Sequence, residues 1–223
     1  MMKTISLENN FLYLFIALVF LLFSMAVFKY IQTPFFSNLV EFVSFGALLL
    51  GVHSLKSERS WLWAVYTMTA FLFVLFLSKK LLDSPQLLEF AHIIILFIFF
   101  VGSFALSFKQ ILISKKITQN MIIGSVVLYL LLGLIWSSLY LLLLMIIPES
   151  FNGLEQLPWK ENFSKVTYFS FVTLTTLGYG DISPKNSIAE FFVYLEAIVG
   201  VFYMAIIVSS LVSARLNNVS QEH

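Results

Sequence analysis

The sequence predicts an all-α membrane protein: six transmembrane helices, with a re-entrant helix and loop between the fifth and the sixth. Four observations carry this expectation. The 223 residues are 60% hydrophobic and 11% charged, with a mean hydropathy of +0.93, whereas soluble domains carry about 25% charged residues. Six apolar stretches approach or exceed the roughly 20 residues that a helix needs to cross the hydrocarbon core. All five prolines, Pro34, Pro85, Pro148, Pro158 and Pro184, fall between those stretches, where helix breakers belong. Finally, Thr175-Thr-Leu-Gly-Tyr-Gly-Asp181 lies between the last two stretches. A non-helical loop at membrane depth is tolerated only where it is buried in protein or lines a water-filled path.

The six expected spans are Phe11 to Tyr30, Phe35 to Ser54, Ser60 to Ser78, Gln86 to Phe108, Gln119 to Ile147 and Ser187 to Leu216. The first is too long, and too lacking in a cleavage site, to read as a secretory signal peptide. Residues 1–116 are expected to form a four-helix peripheral domain with its linker, 117–216 the pore domain, and 217–223 a short cytoplasmic tail. Lys109 to Lys116 reads as an interfacial linker whose lysines snorkel to lipid headgroups. Pro148 to Asn162 links the fifth span to the pore helix and holds Glu149, Glu155 and Glu161. Any pull these exert on cations fades within a Debye length of about 8 Å at physiological salt.

A cation leaving water needs oxygens in place of its hydration shell. A backbone whose carbonyls face one axis supplies them without a fixed charge. Gly178 and Gly180 accept the φ > 0 that such a loop demands. Thr176 adds a hydroxyl oxygen, Leu177 and Tyr179 would pack behind the loop, and Asp181 closes its outer end. Thr176, Leu177, Gly178, Tyr179 and Gly180 resemble the potassium-channel selectivity filter, commonly Thr-Val-Gly-Tyr-Gly. The likeness extends upstream through Tyr168 to Thr175, which resembles the family's pore helix, and downstream through Asp181 to Pro184, which resembles its outer mouth. Gly200 falls where many members carry an inner-helix glycine. The resemblance covers roughly residues 120 to 214. It implies K+ ligands at Thr176, Leu177, Gly178 and Tyr179, with Thr175, Gly180, Asp181 and Tyr168 in support. One copy of the loop in a chain without internal repeat implies a homotetramer, each subunit meeting three identical partners. The C-terminal dipole of the pore helix, ending near Thr175, would favour a cation beside it.

The sequence departs from the pattern in places. Leu177 stands where valine is usual, and Val172 where some members carry a glutamate paired with the mouth aspartate, which leaves Tyr168 as the candidate partner of Asp181. The order of six spans with the pore last resembles the voltage-gated plan, yet the fourth span carries no repeated arginine, only Glu89 and His92 near one end. Little intrinsic voltage sensing is expected, because steep gating needs several charges per subunit. His92 reads as an interfacial residue with a satisfied hydrogen bond. On the sixth span, Gly200, Val201, Met204, Val208 and Val212 share a face and are candidates for an apolar cavity wall. Glu196 lies mid-span, where an ionised carboxylate costs roughly 2.5 kcal/mol or more. It should point toward pore-helix hydroxyls such as Ser170 or Thr173, as a structural tie or as a proton-sensitive brace.

Composition excludes other classes. The chain has no cysteine, so it has no disulfide, thiolate metal site or cysteine nucleophile. His53, His92 and His223 lack metal-ligand spacing, and no catalytic grouping or phosphate-binding loop is present. The chain is not expected to be an enzyme, to use a cofactor, or to bind nucleic acid; its expected partners are K+, membrane lipids and copies of itself. The filter's orientation in the family implies a multi-pass protein of the cell membrane with both termini cytoplasmic. Lysines and arginines then divide seven inside to six outside, scarcely a positive-inside bias. A regulatory membrane subunit with a channel fold, or a potassium-transporter subunit, stand as alternatives.

Overall fold

Without water, a spanning segment must satisfy its backbone polar groups internally, so long apolar stretches fold as helices. The computed structural model describes residues 10–30, 46, 59–78, 85–113, 118–155 and 159–221. In chain order its helices are α1 (Asn10–Tyr30), α2 (Arg59–Ser78), α3 (Pro85–Ile113), α4 (Gln119–Ile146), α5 (Trp159–Leu174) and α6 (Ser187–Gln221). Two short strands, β1 (Phe151–Asn152) and β2 (Ser183–Pro184), pair antiparallel, Phe151 opposite Pro184 and Asn152 opposite Ser183.

Among the described residues, four helical stretches are long and apolar enough to cross a membrane: Asn10–Val27, Gln86–Leu112, Gln119–Ile146 and Ser187–Ile207. The expected third span is present as helix α2, which is not one of these four. The expected second span, Phe35 to Ser54, lies outside the described residues apart from Gly46.

Three boundaries differ from the sequence reading. Helix α3 runs on through Lys109 to Ile113, into the expected linker, because the sequence from Ser103 to Ile113 holds no proline or glycine to stop it. Helix α5 begins at Trp159, inside the segment expected to be a link. Its first turn is pinned by Trp159 and Phe163, both buried, with ring centroids 5.9 Å apart. Helix α6 continues to Gln221, where a polar tail was expected; no proline or glycine follows Gly200.

Helix α4 is the hub. It packs against α1, α3, α5 and α6, while α2 packs against α3, and α5 lies along α6. Lipid tails are as apolar as leucine, so helix association here rests on close packing and on hydrogen bonds between helices. Gly133 of α4 allows a close approach: a Cβ at that position would fall 2.5 Å from the Phe171 ring of α5. Ser137 and Ser138 return their hydroxyls to their own helix, at the carbonyls of Gly133 and Leu134 (2.6 and 2.8 Å). At one end, amides join three helices. Asn10 Nδ2 donates to Gln110 Oε1 (3.1 Å), Asn120 Nδ2 donates to Asn10 Oδ1 (2.6 Å), and the Phe11 amide donates to Asn120 Oδ1 (3.2 Å). Asn10 is buried. The start of α1 and the end of α3 are thereby fastened to the first turn of the same chain's α4.

Candidate functional site

The loop after α5 is built by folding its amides back onto the helix it leaves. The Thr175 amide donates to the Phe171 carbonyl (3.0 Å), Thr176 to Thr173 (2.9 Å) and Leu177 to Val172 (3.0 Å), and Gly178 reaches the same Val172 carbonyl at 3.4 Å. The Thr175 hydroxyl also donates to the Phe171 carbonyl (2.7 Å). Among the described residues, the carbonyls of residues 175–180 accept no backbone hydrogen bond outside regular elements, and these residues lie in no strand or helix. Four donors are used, and the acceptors stay open.

Backbone dihedrals account for this one-sidedness. Thr176, Gly178 and Gly180 have φ of 59°, 57° and 81°, whereas Leu177 and Tyr179 do not enter the positive range. Alternating handedness turns successive peptide planes the same way, so that amides gather on one side and carbonyls on the other; runs of alternating residues form concave binding surfaces by this geometry. The left-handed region costs a residue with a Cβ about 1–2 kcal/mol. Gly178 and Gly180 avoid that cost. Thr176 bears it, held in place by its amide bond to Thr173.

Side chains behind the loop fix its position. The Tyr179 ring stacks on Tyr168 of α5, centroids 6.3 Å apart and planes within 8°. Desolvation raises the Tyr168 phenol above its ordinary pKa, and a hydrogen bond to Asp181 with that group's charge raises it further. Tyr168 therefore meets the loop at both Tyr179 and Asp181, in the place where Val172 provides no side-chain acid. Val172 contributes through its backbone carbonyl instead.

Beyond the loop, the chain is tied to the end of α4. A Cβ on Gly153, beside β1, would sit 2.1 Å from the Asp181 carbonyl oxygen, so only glycine fits there. The Lys185 amide donates to the Ser150 carbonyl (2.8 Å) and Asn186 Nδ2 to Ser150 Oγ (3.2 Å). Lys185 Nζ pairs with Glu149 Oε2 at 2.7 Å in an exposed salt bridge. The hydrogen bond and charge of Lys185 hold the Glu149 carboxyl below its ordinary pKa.

On α6, Glu196 is fully buried. The Ser170 hydroxyl lies 2.5 Å from Glu196 Oε1, and the Tyr140 hydroxyl of α4 donates to Oε2. Gly200, one turn on, presses against α5: a Cβ would fall 2.2 Å from the Leu174 carbonyl oxygen. The face expected to line a cavity is thus divided. Gly200 packs inward against α5, Val201 and Met204 are exposed, and the side chains of Val208 and Val212 lie outside the described residues. Tyr203 donates its hydroxyl to the Ser125 carbonyl of α4, with its ring 5.4 Å from that of Tyr129.

Sequence reading offered Ser170 or Thr173 as the hydroxyl beside Glu196, and the structure has Ser170 there; it missed Tyr140, Gly133, Gly153 and the Val172 carbonyl. The one available signal was a phenol inside the apolar α4, which a buried acid elsewhere could recruit. His92 is buried within the protein, its ring centroid 4.6 Å from that of Trp159. Among the described residues, no group of three or more His, Cys, Asp or Glu is placed to hold a metal ion.

Residues 123–215 match the family model described as ion channel. No curated protein and no solved structure gave a match. The matched stretch contains nearly all of α4, the whole of α5, the loop, and α6 as far as Arg215, which is the set of elements that builds this site. The match points to a channel rather than an enzyme. Together with the four apolar helices, it points to a membrane protein.

Proposed function

We propose that the chain is one subunit of a potassium-selective channel that conducts K+ passively across the cell membrane. Its ion ligands are the carbonyl oxygens of Thr176, Leu177, Gly178 and Tyr179, joined by the Thr176 hydroxyl. The observation that carries this reading is the division of the loop backbone: amides returned to α5, carbonyls without a backbone partner, and φ alternating at Thr176, Gly178 and Gly180. Rings of backbone carbonyls replace the hydration shell of K+ while placing no net charge in the path.

One chain supplies a single wall of such a ring, so the reading requires four copies around an axis. Exposure supports it. Leu177 and Tyr179 are 56% and 66% exposed in the single chain, and Phe191, Tyr194, Ile198 and Phe202 leave an apolar face of α6 uncovered. In this assembly Asp181 stands at the outer mouth, both termini are cytoplasmic, and Val201 and Met204 face the cavity below the filter. Lipid surrounds the outer helices. No cofactor takes part; K+ is the permeant ligand.

Flux from vesicles containing the purified protein tests the proposal. Rapid K+ release with Na+ retained, at rates that do not saturate like a carrier, is the expected result. Equal passage of Na+ and K+ would overturn the filter assignment. Saturable, coupled uptake would point to a transporter, and an absence of flux to a regulatory subunit.

A further inference from the structure

The proton inventory around Glu196 carries an inference beyond the conduction path itself. Five oxygens on three helices form one linear chain. Tyr140 Oη of α4 meets Glu196 Oε2; Glu196 Oε1 meets Ser170 Oγ of α5 at 2.5 Å; and Ser170 Oγ meets the Gly133 carbonyl oxygen of α4 at 2.9 Å. A carbonyl has no proton, and a serine hydroxyl has one. If Glu196 were ionised, Ser170 could donate either to the carboxylate or to Gly133, and the other contact would set two lone pairs face to face. If Glu196 is a neutral acid, every contact holds one proton. Oε1–H donates to Ser170, Ser170 donates to Gly133, and Tyr140 donates to Oε2.

The surroundings agree. Glu196 is fully buried and, among the described residues, no lysine or arginine forms a salt bridge with it. The titratable groups of α4 on this side are the phenols of Tyr140 and Tyr129, and α5 offers the Ser170 hydroxyl. None is a cation that would stabilise a carboxylate.

Position gives the chain its purpose. Glu196 and Gly200 are four residues apart on α6, as Ser170 and Leu174 are on α5. The acid grips Ser170, and one turn later the glycine abuts Leu174, the last helical residue before the loop. We propose that Glu196 is a positioning residue of the filter, held as a neutral carboxylic acid whose proton completes a one-way hydrogen-bond chain from inner helix to pore helix to outer helix. This rests on the loop's being the conduction filter, but the protonation state can be read without any flux.

The chemistry selects the test. Glutamine reproduces the pattern of a neutral acid, with its amide N–H donating to Ser170 and its carbonyl accepting from Tyr140; it does not reproduce a carboxylate. Infrared difference spectra between the wild-type protein and E196Q should show a protonated carboxyl C=O band at neutral pH, lost in the variant. In vesicles, E196Q should keep the K+ over Na+ flux ratio within about twofold, while E196A and S170A lower it by about tenfold, since each leaves a buried partner unsatisfied. A carboxylate band in place of the acid band overturns the proposal, as does E196Q proving as damaging as E196A. If the wild-type protein carries no K+ current while the acid band is present, the conduction reading fails and the protonation assignment stands.

Discussion

Replacing Gly200 with alanine tests the packing of α6 against the end of α5 directly. The added Cβ would meet the Leu174 carbonyl oxygen at 2.2 Å, its carbon at 2.9 Å and its Cα at 3.0 Å. All three are backbone atoms, so no side chain can swing aside. An ordinary C···O approach is about 3.3 Å, which requires α6 to retreat from α5 by about 1 Å. Overpacking of this kind costs about 1–3 kcal/mol. The retreat also acts at the end of α5, whose last turn holds the amides of Thr175 to Gly178. Gly200→Ala should therefore lower the unfolding midpoint, followed by tryptophan fluorescence in detergent, and should weaken K+ over Na+ discrimination in vesicles. Val201→Ala is the control: Val201 is exposed, and its change should stay within about 0.5 kcal/mol. A Gly200→Ala protein with wild-type unfolding and wild-type discrimination would refute the close contact.

Other perturbations have definite outcomes. Gly178→Ala forces a Cβ into φ of 57°, a cost of about 1–2 kcal/mol, and on the proposed reading should reduce K+ flux far more than it reduces the expression of folded protein. The Lys185–Glu149 pair responds to acid. Because the Glu149 carboxyl is depressed from 4.5, its contribution is complete above that ordinary value and disappears as pH falls through the lower folded value. Thermal melts between neutral and strongly acid pH should lose this contribution, and Glu149→Gln should remove that part of the pH dependence. Voltage should matter little. Between Glu89 and Lys109, α3 has no Asp, Glu, Lys or Arg, while each charge crossing the field is worth about 2.3 kcal/mol per 100 mV. Current–voltage curves should be shallow, and steep, saturating gating-charge movement would contradict this.

What could be read in advance followed from local constraints. Apolar length betrays helices that span, and the ends of α1, α4 and the start of α6 fell within a residue of expectation because polar or proline residues flank them. The loop was legible because alternating positive φ leaves glycine at every second position, with Thr176 the exception. Glu196 was conspicuous as an acid among apolar residues, and Ser170 was within reach of it. Tyr140 was hidden, since 56 residues separate it from Glu196 and α4 is apolar on all sides, giving no stripe to say which face turns inward. The beginning of α5 was hidden too. Trp-Lys-Glu-Asn reads as loop until Trp159 and Phe163 are seen together in the core.

Asn10, Gln110 and Asn120 hold one another through carboxamide side chains. Carboxamides neither gain nor lose a proton across the biological range, and with no formal charge they are indifferent to ionic strength and to the transmembrane field. The hydrogen bonds that these three side chains exchange between α1, α3 and α4 therefore keep the same protons from acid to alkali, and added salt has no formal charge in them to screen.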